Sequence, residues 1–337
     1  MKLCFVTADE PFRFEAGGSI DGFRIAYHTS PTDYKPGMKV IWICHALTAN
    51  SDAEDWWNAL VGPGRFLDTE KYFIVCVNMP GSPYGTTGPS SVNPATGEPW
   101  YMTFPEITIR DMAGAMSIVR KHLGINKIDL LIGSSIGGFQ AIEWAVGEPE
   151  VFSNAIFMAT DARVSPWLTA QNEAQRLALE ADQTFRQARS LDGGKAGLRC
   201  ARAQALISYR SYSGFRDTQS EVSRDTLYAD RAASYERYQG DKLVKRFDAY
   251  SYWYLTHSLD SHNIGRGRGG VEAALKRITA RTAVVGINSD NLFPEARLKE
   301  IAGLIPGAEY YTIDSKFGHD GFLLEHAQLT EILKNYI

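Results

Sequence analysis

Ser135 is the residue with the clearest capacity for chemistry. It sits at the centre of Gly133-Ser134-Ser135-Ile136-Gly137, a Gly-x-Ser-x-Gly motif. The apolar, β-prone run Ile128-Asp129-Leu130-Leu131-Ile132 leads into it, and the helix-like Phe139-Gln140-Ala141-Ile142-Glu143-Trp144-Ala145 leads out. Strand, serine and helix in that order describe a nucleophile elbow. The turn is so tight that side chains two residues either side of the serine would collide, so glycine belongs at 133 and 137. The hydroxyl is then held clear of the strand at a helix N-terminus, whose dipole favours developing negative charge. Ser134 lies out of that register. A bare Gly-x-Ser-x-Gly is also met as an ordinary strand-to-helix turn; the strand before and helix after favour the nucleophile.

A serine hydroxyl is a weak nucleophile. It needs a base, and the base needs an orienting acid. After an elbow of this kind the acid comes next in the chain and the histidine last. Of the seven histidines, His257, His262, His319 and His326 follow the elbow. His319, in Phe317-Gly318-His319-Asp320-Gly321, falls in the loop after the last strand, where the base belongs. His326 reads as a surface residue of the final helix, and His257 and His262 fall in an intervening helical region. Asp290, just past the preceding strand, is the expected acid, with a helix N-cap before Pro294-Glu295 as the other reading. Asp314 is the rival acid but sits on the same strand end as His319. Two backbone N–H donors are needed for an oxyanion: Ile136, directly after the serine, and Leu47, in the loop after an earlier strand. His45, in that same loop, precedes the serine and reads as a packing, hydrogen-bonding residue.

The elements that must position these groups follow from the apolar pattern. Lys39-Val40-Ile41-Trp42-Ile43-Cys44 and Tyr72-Phe73-Ile74-Val75-Cys76-Val77-Asn78 are near-continuous apolar runs, expected for strands buried on both faces. Further strands are expected at Asn154 to Ala159, Thr282 to Ile287 and Glu309 to Ile313, with helices at Thr108 to Leu123 and Phe322 to Tyr336. Short alternating pieces in residues 1–38, such as Phe12-Arg13-Phe14 and Phe23 to Tyr27, read as antiparallel edge strands. The loop from Pro80 to Glu98 is long enough to suggest a functional role. Alternating strands and helices predict an α/β architecture, a mostly parallel sheet flanked by helices. Residues 165–277 lack any buried-strand pattern and carry helical spacing. They read as a helical lid inserted into a core made of 1–164 and 278–337.

The chain has 337 residues, 44% of them hydrophobic, enough for one large α/β domain with an insertion. Its formal net charge is -4 with no basic block, which argues against a nucleic-acid partner. The four cysteines are scattered without a C-x-x-C, consistent with a reducing compartment. No stretch has the length of a membrane span and the N-terminus lacks a signal-peptide run, so a cytoplasmic location is expected. No metal site is expected.

Several further stretches resemble the homoserine O-acetyltransferase family, acyl-CoA-dependent enzymes of methionine biosynthesis with an α/β-hydrolase fold. They include His45-Ala46-Leu47-Thr48, Tyr84-Gly85-Thr86-Thr87-Gly88-Pro89, Phe104 to Met112 and Ser208-Tyr209-Arg210-Ser211. Gly197-Leu198 with Ala201-Arg202, Arg246-Phe247-Asp248-Ala249 with Ser251-Tyr252-Trp253, Asp260 to Gly269, Ser289-Asp290 with Leu292-Phe293-Pro294, and Gly318-His319-Asp320 complete the set. The resemblance implies Ser135, Asp290 and His319 as a triad. It implies that Arg202 binds the carboxylate of an amino-acid acceptor with Tyr209 beside it, and that Asp320 binds the acceptor's amino group. Without it, Arg202 reads as a solvated charge. It further implies acetyl-CoA as co-substrate with no bound cofactor, L-homoserine as acceptor, and a homodimer. Serine or homoserine O-succinyl transfer, ester or thioester hydrolysis, and a triad-bearing binding module are the alternatives. The chain departs from the family pattern at Ser134 and Ile136, where glycine and methionine are usual, and at Pro80 and Pro83, where leucine and cysteine are usual. These changes bear on the acyl pocket rather than on the nucleophile.

Overall fold

In the computed structural model, which describes residues 1–337, eight strands form one sheet in the order β1-β4-β6-β5-β7-β8-β9-β10. These are β1 (Lys2–Thr7), β4 (Arg24–Thr29), β5 (Val40–Cys44), β6 (Phe73–Val77), β7 (Ile128–Ser134), β8 (Phe152–Met158), β9 (Arg281–Ile287) and β10 (Glu309–Ile313). The two-residue strands β2 (Phe12–Arg13) and β3 (Ser19–Ile20) pair with each other outside it. From β6 to β10 every pairing is parallel; β1 and β4 join antiparallel. Every residue of β5 and β6 is buried. Alternate side chains enter two separate cores: Trp42, Cys44 and Leu131 on one face, Ile41, Ile43 and Ile132 on the other. That two-sided burial is the physical reason these strands read as unbroken apolar runs.

The N-terminal expectation needs correcting. The edge strand is β1, a short apolar run without alternation whose Leu3 and Phe5 remain exposed. The strand around Phe23 to Tyr27 lies inside the sheet, between β1 and β6. Phe12-Arg13 belongs only to the small hairpin.

Helix Ile109–His122 begins at a capping box in which Thr108 Oγ1 accepts from Asp111 N–H and Asp111 Oδ2 accepts from Thr108 N–H. The expected C-terminal helix is broken into Gly321–Leu324 and His326–Leu333. The Trp57 indole N–H donates to the carbonyl of Phe322 at 3.2 Å, an acceptor an unbroken helix would use internally.

Between β8 and β9 the chain forms helices and no sheet strand. Helix Pro166–Glu180 starts at the Ser165 cap with proline at its first position. It packs on helix Lys195–Tyr209, which in turn packs on helix Arg231–Val244. Helix Ala249–Asp260 closes against Pro166–Glu180. No helix of the chain is long and apolar enough to cross a membrane.

Candidate active site

Ser135 follows β7 and caps helix Ile136–Gly147 with φ 57° and ψ -129°, a conformation costly for a residue bearing a Cβ. The surroundings over-determine it. Ser135 N–H donates to the Met158 carbonyl at 3.2 Å. Its carbonyl accepts from Gly138 N–H at 2.9 Å and from Thr160 Oγ1 at 3.0 Å. A Cβ at Gly133 would stand 2.2 Å from the Gly137 carbonyl oxygen, and one at Gly137 would stand 2.1 Å from the Cys44 carbonyl oxygen. The predicted collision across the turn is therefore literal, and it extends to the neighbouring strand.

Two sequence motifs outside the elbow hold its helix. Glu143, buried on that helix, accepts from Arg110 Nε at 3.0 Å and from Arg268 Nη2 at 2.6 Å. One desolvated carboxylate thus ties helix Ile109–His122 and the Gly265 to Gly269 loop to the elbow.

Asp290 and His319 meet beyond the ends of β9 and β10. His319 Nδ1 lies 2.7 Å from Asp290 Oδ2, with both side chains buried. The other oxygen, Asp290 Oδ1, accepts from the N–H groups of Leu292 and Phe293 at 2.7 and 3.0 Å. Oδ1 thus closes a turn onto Leu292 and Phe293 while Oδ2 meets the histidine; helix Glu295–Leu304 starts at Pro294 with no side-chain cap, so Asp290 is not its N-cap. His319 Nε2 is buried and makes no hydrogen bond within the protein. Burial pushes the imidazole pKa down, but the charges of Asp290 and Asp320 and the hydrogen bond to Asp290 outweigh it, so the net shift is upward.

Ser135, Leu47, Ile136 and Tyr209 line one cavity with Phe293 and Gln175. It encloses about 20 Å³, room for a water molecule. Neither Leu47 N–H nor Ile136 N–H donates a hydrogen bond within the protein. No hydrogen bond joins Ser135 to His319, but both flank Tyr209 and Phe293, whose rings lie 5.7 and 5.3 Å from the imidazole. Arg246 reaches from the helical segment to the Thr48 carbonyl and the Tyr84 hydroxyl, bracing the loop that carries Leu47.

Arg202 and Tyr209 do share a face of helix Lys195–Tyr209: the guanidinium carbon lies 5.8 Å from the Tyr209 ring centre. Asp320 is not free. Arg210 Nη2 stands 3.2 Å from its Oδ2, a pair sequence reading missed although Arg210 sits within a quoted motif. Arg210 Nη2 also donates to the Tyr235 hydroxyl at 3.2 Å. The neighbouring Glu236 has both carboxylate oxygens buried with no hydrogen-bond partner. No pattern in the sequence marks Glu236.

The remaining histidines take structural places. His45 is buried; its Nδ1 pairs with the Ala46 carbonyl at 2.9 Å and its Nε2 faces Met79 N–H at 3.4 Å. Burial pushes its pKa down to about 4, so it stays neutral. His262 stacks on Phe139 of the elbow helix at 3.8 Å. His257 pairs with Glu106 at the surface. No group of three or more His, Cys, Asp or Glu side chains is arranged to hold a metal ion.

The sequence profile of the alpha/beta hydrolase fold matches residues 39–326. The chain is 43% identical over 329 residues to a homoserine O-acetyltransferase of Cyclobacterium marinum, covering 97% of this chain and 93% of that one. Among solved structures, homoserine O-acetyltransferase from Staphylococcus aureus superposes with a TM-score of 0.81 at 29% identity, covering 99% of this chain and 94% of that one. Esterase E22 superposes with a TM-score of 0.89 at 23% identity over 99% of both chains, a likeness of fold alone.

Proposed function

We propose, from the premise that this chain belongs to the homoserine O-acetyltransferase family of the α/β-hydrolase fold, that it moves an acetyl group from acetyl-CoA to the hydroxyl of L-homoserine through an acyl-Ser135 intermediate. The observation that carries the reading is His319 held by Asp290 at 2.7 Å, with its Nε2 unbonded, beside a cavity lined by Ser135 and two unused amide donors.

Ser135 Oγ attacks the thioester carbonyl while its proton passes to His319 Nε2. Asp290 fixes the tautomer and stabilises the imidazolium that forms. The tetrahedral oxyanion is held by the N–H groups of Leu47 and Ile136. Collapse expels the CoA sulfur, which takes the proton from His319, and leaves acetyl-Ser135. The homoserine hydroxyl then gives its proton to His319 and attacks the ester. Ser135 recovers the proton as O-acetylhomoserine leaves. The Ser135 to His319 hydrogen bond forms with substrate in place, as catalytic contacts commonly tighten in the Michaelis complex.

Water is the competing acceptor. Arg202 supplies a planar fork for the homoserine carboxylate and Asp320 an anion for its ammonium, with Tyr209 between them. Residues 165–277 act as the lid that carries Arg202 and Tyr209 and restricts solvent. The exposed apolar side chains Ile207, Tyr212, Val222, Leu227 and Tyr228 on that segment support a homodimer joined there. The biosynthetic role supports a cytoplasmic location.

Incubation with acetyl-CoA and L-homoserine, with products resolved by mass spectrometry, tests the reading. O-acetylhomoserine with stoichiometric CoA release is expected. Free acetate alone would make the protein a hydrolase, and preference for succinyl-CoA or L-serine would reassign donor or acceptor.

A further inference from the structure

The carboxylate assigned to the acceptor's ammonium is already occupied. Arg210 Nη2 lies 3.2 Å from Asp320 Oδ2, and both side chains are largely sheltered from solvent. A guanidinium and an incoming ammonium repel each other, so the two cations compete for Asp320. Leaving a buried carboxylate strands the guanidinium unless a second anion is near.

One is near. Glu236 directly follows Tyr235, whose hydroxyl already accepts from Arg210 Nη2. Both Glu236 oxygens are buried and bonded to nothing in the protein, and so is Arg210 Nε. Native structures rarely leave charged groups in that condition without a reason. We propose that Arg210 is a positioning residue that exchanges partners during turnover: it neutralises Asp320 while the acceptor site is empty and moves to Glu236 when the amino acid's ammonium takes Asp320. The proposal rests on the acceptor-binding role given above to Arg202 and Asp320.

The charge arrangement favours the exchange. Burial raises the Glu236 pKa on balance, against the charges of Arg202 first and Arg210 second, so the unpaired carboxylate lies in the field of both cations and gains most from a direct partner. In the empty site neither Arg202 nor Glu236 has a bonded partner of opposite charge. A bound zwitterion changes that: its carboxylate takes Arg202, its ammonium takes Asp320, and the released Arg210 takes Glu236. A ligand with a carboxylate but no ammonium leaves Arg210 where it is and Glu236 unpaired. The exchange therefore selects for amino acids over simple hydroxy acids.

The test compares L-homoserine with 4-hydroxybutyrate, which keeps the carboxylate and hydroxyl and lacks the amine. Glu236→Gln should raise the KM for homoserine about tenfold, the scale of one charge-assisted hydrogen bond. It should move the inhibition constant of 4-hydroxybutyrate less than twofold and leave the pre-steady-state burst of CoA from acetyl-CoA intact. In an Arg210→Gln background, where the competing cation is gone, Glu236→Gln should shift the homoserine KM less than twofold. Equal shifts for the two ligands, or equal shifts in the two backgrounds, would overturn the exchange. If Glu236→Gln does not fold, Glu236→Asp, which keeps the charge but shortens its reach, serves in the same cycle. Wild type that makes no O-acetylhomoserine would remove the functional reading and this inference together. Wild type that does so while Glu236 variants bind both ligands alike would remove this inference alone.

Discussion

Around Ser135, Asp290 and Glu143 the carboxylates and the elbow backbone are bonded by backbone and buried partners; His319 Nε2 and the N–H groups of Leu47 and Ile136 stay open for the proposed chemistry, and Gln140 Nε2 and Trp144 Nε1 on the elbow helix are also without a partner. On the helical segment, Arg210 Nε and both Glu236 carboxylate oxygens are buried without a partner, and Arg202 makes no ion pair. The first region stands on strand ends, where a strained serine is enforced by contacts closer than a side chain tolerates. The second stands on the helices between β8 and β9. The backbone of esterase E22 follows this one over 99% of both chains, helical segment included, so likeness of fold does not by itself fix the reaction.

Breaking the strand-end region should give the largest effects. Ser135→Ala should lower transfer on the order of 10⁴-fold or more and abolish the CoA burst, read by thiol release in stopped flow. Gly137→Ala, forcing a Cβ to 2.1 Å from the Cys44 carbonyl oxygen, should cost roughly 3 kcal/mol or more in urea unfolding. A cost below 1 kcal/mol would show that the elbow is less constrained than its geometry implies. Changes on the helical side should be smaller and confined to the acceptor. Arg202→Ala should raise the homoserine KM by roughly 10- to 100-fold, the worth of a charge-assisted pair, while the burst survives. An equal rise in the acetyl-CoA KM would blur the division between the two regions. The smallest effect concerns pH. His319 must be neutral to accept a proton, and its pKa lies above the usual 6.5. The acid limb of kcat/KM for acetyl-CoA should therefore lie above pH 6.5, falling about tenfold per unit below its midpoint. Asp320→Asn, which removes one of the raising charges, should move that limb to lower pH.

The strand-end region was also the more legible one. Strands β5 to β9 are buried on both faces, so their apolar runs announced them, and the elbow, Asp290 and His319 followed from strand ends and chain order. The edge strand β1 was passed over although Leu3-Cys4-Phe5-Val6 is apolar, because so short a run lacks alternation, and Leu3 and Phe5 stay exposed in the fold. The break at Glu325 has no local mark: the Phe322 carbonyl there accepts from an indole 265 residues away in sequence. On the helical side, helical spacing put Arg202 and Tyr209 on one face. The Arg210 to Asp320 pair joins segments 110 residues apart, with nothing local to mark it. Glu236 carries no motif because its peculiarity is the absence of a partner.

Gly318, one residue before the imidazole, lies so near the end of the helix bearing Tyr209 that a Cβ there would come within 2.7 Å of the Tyr209 carbonyl oxygen and the Ser211 nitrogen. Ser211 Oγ also donates to the Lys316 carbonyl. The roof and the base are thus latched to each other. On the proposed mechanism, lifting the roof to admit a bulky thioester would either unfasten this seam or drag His319 from its post, so a gaping enzyme would be a disarmed one, and the same latch would shield an acyl group on Ser135 from stray water.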